Sequence, residues 1–220
     1  MSRHIRQAAA ALVLLAVAGC SGGSGGTPAD SDGPSMLRVG SAVLRDTVSA
    51  RKAPAAATSA PDPQAMAAEA LAANPGPLIL VGLEDQGTTQ VLAMVGENRG
   101  MRTYMTKTEQ ALILRGFMLT GTRGLGHDLS VAEADGAAAL IAAGRSGEAR
   151  RVMRYYSGDG LERPLEFACR IGPGPNAGVV VEDCAGHGIS FQNSYLPSAG
   201  VSRQWIGPGL GYATIQVLRN

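Results

Sequence analysis

From Leu78 to the C-terminus, apolar and polar residues alternate with a period of two in a series of short segments. This alternation is typical of strands that bury one face and expose the other. Clusters rich in Gly, Pro, Asn and Asp, such as EDQG, ENRG, GDG and GPGPN, separate the segments. Such clusters form the tight turns that join antiparallel neighbours. The pattern therefore predicts a mainly β chain whose strands form an antiparallel meander.

The strands are predicted in two sets, on either side of the segment AEADGAAALIAAGRSG. The first set reads PLILVGLE, TTQVLAMVG, GMRTYMT and QALILRGFMLTGT. The second set reads EARRVMRYYS, LERPLEFACRI, AGVVVEDC, ISFQNSYLP, VSRQWIG and YATIQVLR. The Ala-rich segment between the sets resembles an insertion and is not assigned to a strand.

One short helix is predicted ahead of the strands. Asp62 is a favourable N-cap, Pro63 suits the first turn, and QAMAAEALAAN consists mostly of strong helix formers. Asn74, Pro75 and Gly76 then provide a stop signal. The predicted fold class is thus mainly β with one short N-terminal helix.

The N-terminus has the three parts of a secretory signal peptide. Arg3 and Arg6 make the start positive, residues 8–19 are uncharged and mostly apolar, and small residues follow. This run is shorter than the roughly 20 residues that a membrane-spanning helix needs. A buried core helix is the alternative, but the Ser- and Gly-rich sequence that follows offers such a helix nothing to pack against. The pattern predicts export from the cytoplasm.

The end of this apolar run resembles the lipobox of bacterial lipoproteins, which reads aliphatic, small, small, Cys. Val17, Ala18, Gly19 and Cys20 match it. The resemblance implies that a diacylglycerol is attached to the Cys20 sulfur, that cleavage follows Gly19, and that the new amino group is acylated. Several acyl chains would hold the protein firmly, since each buried methylene contributes about 0.8 kcal/mol. The alternative is an ordinary cleavage site that leaves Cys20 as a free thiol.

Three parts of the chain follow from this interpretation: a signal peptide over residues 1–19, a lipidated Cys with a flexible tether over 20–35, and one mainly β domain over 36–220. The tether is rich in Ser and Gly, a composition typical of flexible linkers. In enteric-type lipoproteins, Asp directly after the lipidated Cys favours inner-membrane retention. Ser21 stands there, so we expect the outer membrane.

The other two cysteines, Cys169 and Cys184, are expected in an oxidising compartment, where disulfides persist. A hairpin that turns at Asn176 and Ala177 places them directly opposite each other, at a spacing that can approach disulfide geometry. The pattern therefore predicts a disulfide. Glu182 shares the side-chain phase of Cys184, which leaves a bulge or another register open, and two buried free thiols are the alternative.

The sequence offers no clear catalytic constellation, metal site or cofactor site. His127 and His187 lack metal-ligand spacing, and Ser190 lacks the strained elbow of a nucleophilic serine. The carboxylates at 84–85 and 182–183 lie next to predicted turns, where solvated side chains are the ordinary interpretation. A net charge of +1 without a basic stripe argues against nucleic-acid binding. We expect a protein that is not an enzyme.

Aromatic residues in the second strand set allow one alternative. A face for stacking sugars is one interpretation of them, although strand aromatics more often belong to the core or to a partner interface. The residues in question are Tyr155, Tyr156, Tyr195 and Trp205.

Two stretches resemble motifs of the YjbF/GfcB-type family, the group 4 capsule or exopolysaccharide lipoproteins. The first, GFMLTGTRGLGHDL, matches the mid-chain family pattern at Gly116, Thr122, Gly124, Leu125, Gly126, Asp128 and Leu129. The second, SRQWIGPGLGYATIQVLR, matches the closing strand at Gln204, Pro208, Gly209, Ile215, Val217 and Leu218. The resemblance extends over about residues 62–219 and includes the stretch ALAANPGPLILVGLE.

This resemblance implies a curved or half-barrel-like sheet on an outer-membrane lipoprotein that faces the periplasm. It also implies partners: an outer-membrane β-barrel of the YjbH/GfcD type, other polysaccharide-secretion components, and possible contact with the polysaccharide itself. We expect a non-enzymatic accessory factor in capsule or exopolysaccharide secretion or assembly. A glycan-modifying enzyme that uses buried carboxylates and a purely structural envelope lipoprotein are the alternatives.

Overall fold

The computed structural model describes residues 62–156 and 158–220. Cys20, the predicted signal peptide and the predicted tether lie outside the described residues. The described elements comprise two helices, α1 (Pro63–Ala73) and α2 (Asp135–Ala142), and a 3-10 turn (Pro197–Ala199). The strands are β1 (Leu78–Leu83), β2 (Thr88–Asn98), β3 (Met101–Met105), β4 (Ala111–Arg115), β5 (Met118–Arg123), β6 (Leu129–Glu133), β7 (Gly147–Tyr156), β8 (Glu162–Pro173), β9 (Val180–Gly186), β10 (Ile189–Leu196), β11 (Val201–Gly207) and β12 (Gly211–Arg219).

Within the described residues, these twelve strands form one antiparallel sheet that is nearly closed into a barrel. Their order is β5-β4-β3-β2-β1-β12-β11-β10-β9-β8-β7-β6, so the first and last of the described strands, β1 and β12, pair in the middle. The outer strands, β5 and β6, follow one another in sequence and meet at the seam. The predicted mainly β fold, with its antiparallel meander and curved, half-barrel-like sheet, is confirmed.

The predicted N-terminal helix is confirmed as α1. The Asp62 side chain accepts a hydrogen bond from the Gln64 backbone N–H at 3.0 Å, which satisfies a donor in the first turn. At the other end, the Arg219 guanidinium donates to the Leu71 carbonyl at 3.0 Å and so ties the helix to β12. This contact fixes the start of the described chain on its last strand.

The prediction differs from the structure in three elements. The Ala-rich segment that resembled an insertion contains α2, which buries Ala137 and Ile141. The segment QALILRGFMLTGT is two strands, because Gly116 adopts a φ of 60° and Arg115 pairs with Met118 across a two-residue turn. The strand β6 was not predicted at all. Its five residues directly follow a loop, which leaves too short a run for the alternation to stand out.

The inward face of the sheet forms one continuous hydrophobic core. Its largest fully buried apolar side chains come from every part of the sheet and include Ile79, Leu92, Leu112, Leu119, Leu129, Met153 and Phe167. Register shifts in several strand pairs, for example between Met94 and Gly96, bend the strands around this core. Several polar side chains are also buried there, and they connect the strands across the interior.

Candidate functional site

The structure joins Cys169 and Cys184 by a disulfide with an S–S distance of 2.05 Å. The two residues are direct cross-strand partners on β8 and β9, in the register expected from a turn at Asn176 and Ala177. Both side chains point into the core and are 3% exposed. The bond crosslinks two strands in the middle of the long hairpin run from β7 to β10.

The interpretation of the carboxylates at 182–183 as solvated side chains is wrong for Glu182, whereas Asp183 is exposed. Glu182 lies on β9 two residues before Cys184, in the same inward phase, and its side chain is fully buried. The bulge or second register that this phase left open does not occur between β8 and β9. The inward phase of Glu182 is compatible with the core because the carboxylate has a buried cationic partner.

That partner is Arg151 on β7. Its guanidinium donates to both Glu182 oxygens, at 3.1 Å from Nε and 2.8 Å from Nη2. Asn193 and Tyr195 on β10 also donate to Glu182, at 2.9 and 2.8 Å. Arg151 further contacts the Met118 sulfur at 3.1 Å, across the interior on β5. With the Met118 contact included, these interactions connect four strands, and a charge that is buried at this depth needs such pairing.

Burial and ion pairing have opposite effects on the pKa of Arg151 in this network. Burial alone would lower the pKa of Arg151, but Tyr195 and Glu182 raise it above its ordinary value, so the guanidinium stays charged. Burial raises the pKa of Tyr195 well above its ordinary value, which keeps its hydroxyl protonated as a donor to Glu182. We name this set, Arg151, Glu182, Asn193 and Tyr195, the inner network. Sequence reasoning missed it because a lone Arg or Glu on an inward phase does not reveal its partner.

A second polar bridge crosses the interior from β11. The Gln204 side chain accepts a hydrogen bond from the Leu119 N–H at 2.9 Å and donates to the Phe117 carbonyl at 2.8 Å. The register between β4 and β5 shifts next to this point, between Ile113 and Leu114. A shift of this kind leaves backbone groups without ladder partners, and Gln204 supplies the partners. The closing-strand motif therefore contacts the start of the mid-chain motif.

The loop between β5 and β6 closes the seam of the sheet with side chains. Asp128 accepts hydrogen bonds from Thr122 Oγ1 at 2.9 Å, from Gly124 N at 2.8 Å and from Leu125 N at 3.1 Å. Thr122 Oγ1 in turn accepts from Leu129 N at 2.9 Å. One carboxylate therefore organises the loop that carries the GLGHDL motif, and its role here is structural.

The two family-like motifs also meet at the tip of the hairpin between β11 and β12. A Cβ atom on Gly209 would lie 2.7 Å from His127 Cγ, closer than packed atoms approach. Only a residue without a side chain permits this contact between the hairpin tip and the GLGHDL loop. The close approach of the hairpin tip to His127 is therefore the reason for a glycine at position 209.

The ladder of backbone hydrogen bonds is also interrupted between β10 and β11. Among the described residues they pair over three positions, from Ser194 opposite Arg203 to Leu196 opposite Val201. Beyond them side chains take over, since Trp205 N donates to Asn193 Oδ1 at 2.7 Å and Gln192 N donates to the Tyr212 hydroxyl at 3.2 Å. Regular pairing between β10 and β11 is therefore limited to these three positions, and side chains bridge the rest of the two strands.

Beside this gap in the pairing, the outward face of β7 to β10 forms an open groove with a volume of about 1270 Å³. We name it the outer groove. Its central positions carry the small side chains of Ala168, Ala185 and Ser190, which are cross-strand neighbours on three successive strands. Small residues in the middle and long polar residues beside them make the surface concave. The inward side of the same strands holds the disulfide, directly behind this row.

A row of polar side chains runs along one side of the outer groove. Glu148, Arg170, Asp183 and Gln192 are direct cross-strand neighbours on β7, β8, β9 and β10. Gln192 donates to Asp183 at 2.6 Å, and Tyr212 lines the end of the groove next to Gln192. We name these four residues the polar row. Acceptors and donors alternate along it, over about 14 Å at the usual strand spacing.

The aromatic residues considered as a sugar-stacking face do not share one. Tyr195 and Trp205 are buried, and Trp205 stacks on Phe191 with ring centroids 4.3 Å apart. Tyr155 is partly buried and donates to the Ile206 carbonyl at 2.6 Å, while Tyr156 is 68% exposed on the outer part of β7. The core interpretation therefore holds for Tyr195 and Trp205.

Within the described chain, one group of residues has metal-ligand spacing: Cys169, Glu182 and Cys184. The two sulfurs are bonded to each other, and the carboxylate is paired with Arg151, so these atoms are already occupied. His187, on the turn after β9, accepts a hydrogen bond from the Glu166 N–H at 3.1 Å. No helix among the described residues is long and apolar enough to span a membrane.

The fold and this geometry define a class of protein: a nearly closed antiparallel sheet with a polar bridge across its interior and a polar groove outside. The family described as group 4 capsule polysaccharide lipoprotein gfcB, YjbF matches residues 51–218. The chain therefore belongs to the YjbF family. Membership implies attachment to a membrane of the cell envelope and a role connected with capsule polysaccharide.

A solved structure supports the fold. The hypothetical lipoprotein YmcC from Escherichia coli (K12) superposes with a TM-score of 0.56 at 15% sequence identity, over 86% of this chain and 98% of that chain. At this identity the likeness concerns the fold alone. Among curated proteins no sequence matches the chain significantly.

Proposed function

We propose that this protein is a non-enzymatic accessory factor in the secretion or assembly of capsule or exopolysaccharide. The family match over residues 51–218 carries the proposal. The geometry suits a protein that holds a partner or a glycan rather than one that catalyses a reaction. The buried carboxylate is paired with a buried guanidinium, and Asp128 is occupied by loop hydrogen bonds.

The proposed location is the periplasmic side of the outer membrane. Cys20 is the proposed lipid attachment point after removal of residues 1–19, residues 20–35 the tether, and 36–220 the single domain. Ser21 supports the outer membrane over the inner one. An outer-membrane β-barrel of the YjbH/GfcD type and other secretion components are the proposed partners.

Deletion of the gene tests the function. We expect loss of most surface or secreted polysaccharide, restored by the wild-type gene but not by a Cys20→Ala variant, which remains an unlipidated precursor. A Ser21→Ala variant is the matched control, since it leaves the lipobox intact and should restore production. Unchanged polysaccharide after deletion would contradict the proposal. A fatty-acid label that still marks the Cys20→Ala protein would contradict the anchor.

Detergent extraction of the membranes tests the partners. We expect the lipidated protein to co-purify with an outer-membrane β-barrel, and a Ser21→Asp variant to fractionate with the inner membrane and lose that barrel. Co-purification of neither a barrel nor any secretion component would contradict the proposed partners.

One observation favours a second candidate, a glycan-modifying enzyme: Glu148, Glu166 and Asp183 all line the outer groove. Glycoside hydrolysis uses two opposed carboxyl groups. If this candidate is right, Glu→Gln or Asp→Asn at one of these positions abolishes polysaccharide modification while folding and partner binding persist. The accessory role predicts that no single amidation does so.

A further inference from the structure

We infer that the outer groove is a binding site for uncharged segments of a polysaccharide chain. This inference rests on the proposed function, which supplies the class of polymer. It adds the face of the protein that contacts the polymer and the side chains that recognise it.

The size of the groove favours a polymer. Pockets for small ligands usually measure about 300–1,000 Å³ and enclose their ligand. The outer groove measures about 1270 Å³ and lies open on the outward face of four strands. An open groove lets a chain enter at one end and leave at the other, so several consecutive sugar rings can lie along it.

The arrangement of side chains favours a ligand rich in hydroxyl groups. A hydroxyl both donates and accepts hydrogen bonds. Along the polar row, the carboxylates of Glu148 and Asp183 accept, the guanidinium of Arg170 donates, and the amide of Gln192 does both. Ala168 and Ala185 are exposed in the middle of the groove. They leave the space that a sugar ring needs to reach these groups.

The charge of the groove favours uncharged sugar units. Two guanidinium groups and three carboxylates line it, from Arg150, Arg170, Glu148, Glu166 and Asp183. Arg150 is already paired with Glu166. The remaining charges are one cation and two anions, a balance that does not attract a polyanion.

The same features argue against a protein as the occupant. Protein interfaces centre on buried aromatic and aliphatic anchors with a polar rim. The exposed side chains at the centre of the groove are alanines and a serine, while the exposed large apolar residues Val95, Tyr156 and Leu161 do not line it.

The test uses the full-length lipidated protein in detergent micelles. The probe is the surface polysaccharide extracted from the cells that make the protein, cut to oligosaccharides and followed by calorimetry. Ala185→Leu fills the middle of the groove, and Asp183→Ala removes an acceptor from the polar row. We expect each to weaken binding by at least about tenfold. The matched controls Ala72→Leu, on an exposed position of α1, and Glu133→Gln, on β6, should bind like wild type.

Each of the following outcomes overturns the inference: unchanged binding in both groove variants, absence of binding by the wild type, or tighter binding of polygalacturonate than of the extracted polymer. So does loss of a protein partner, rather than of oligosaccharide, in the groove variants. Equal melting temperatures exclude misfolding, and Asp183→Asn provides a milder variant of the same site. If gene deletion abolishes the polysaccharide while the groove variants restore it fully, the inference fails and the accessory function stands.

Discussion

The inward and outward faces of β7 to β10 carry the same types of charged residue in opposite environments. On the inward face, Arg151 and Glu182 are 2% and 0% exposed and satisfy each other with help from Asn193 and Tyr195. On the outward face, Arg150, which directly precedes Arg151, and its partner Glu166 are 63% and 56% exposed. Because successive side chains of a strand point to opposite faces, a charged residue at one position is buried and structural, whereas a charged residue at the next position is exposed on the surface.

The two faces therefore differ in what a substitution should disturb. Removing one member of a buried ion pair leaves an uncompensated charge in a low-dielectric interior. Removing one member of an exposed pair leaves a charge that water solvates. We expect substitutions on the inward face to change stability, and substitutions on the outward face to change binding.

The largest effect is expected for Glu182→Gln. The amide keeps the shape but leaves the Arg151 guanidinium without its counter-ion, which should lower the free energy of unfolding by about 3–5 kcal/mol. Urea unfolding measures it. The matched variant is Glu133→Gln, which breaks an exposed pair with Arg154 and should cost less than about 1 kcal/mol.

Equal losses in the two variants would contradict the contrast between the faces. A double variant sharpens it: Arg151→Met with Glu182→Leu removes both charges together. Replacing a buried pair with apolar residues is often neutral or stabilising, so the double variant should recover most of the stability that Glu182→Gln loses.

The disulfide on the inward face should contribute the next largest effect. Replacing Cys169 and Cys184 together by Ala releases a loop of 15 residues, which the chain-entropy account values at about 3 kcal/mol. Thermal unfolding of the double variant measures this loss, and mass spectrometry without reduction establishes the bond in the wild type. The Ala185→Leu variant, adjacent to Cys184 but on the outward face, is the control and should unfold close to wild type. A mass that corresponds to two free thiols would contradict the prediction.

Much of this contrast was accessible from the sequence. Period-two alternation identified all six strands from β7 to β12, and the turn at Asn176 and Ala177 placed Cys169 opposite Cys184. The strands and the pairing of the two cysteines depend on local pattern and turn chemistry, so short runs of consecutive residues are enough to predict them. The same reasoning recognised that Glu182 shares the phase of Cys184.

The inner network and the outer groove depend on contacts between residues that are distant in sequence. The partner of Glu182 is 31 positions away, so the alternation marked the residue as anomalous without explaining it. The outer groove was missed because it depends on small residues that three strands bring side by side. An exposed alanine in a single strand carries no signal of its own. Only the register between neighbouring strands places such residues side by side on one surface.

The smallest expected effect concerns the stability that buried tyrosines contribute at alkaline pH. It again contrasts the inward face with the outward face. Burial raises the pKa of Tyr195 and of Tyr155, whereas Tyr156 is largely exposed. A phenol whose pKa is raised by folding stabilises the protein fully below its unfolded pKa of about 10 and loses that contribution as the pH rises further. We therefore expect the stability that Tyr155 and Tyr195 contribute to be lost as the pH rises above about 10.

Phenolate absorbance during an alkaline titration measures these populations. The native protein should show a late group, Tyr155 and Tyr195, that ionises as the sheet unfolds. Tyr195→Phe should remove one tyrosine from the late group, because its hydroxyl is the one that Glu182 holds as a donor in the core. If Tyr195→Phe instead left the late group unchanged, the Tyr195 hydroxyl would be accessible to solvent, and the buried side of the contrast would be wrong at that residue.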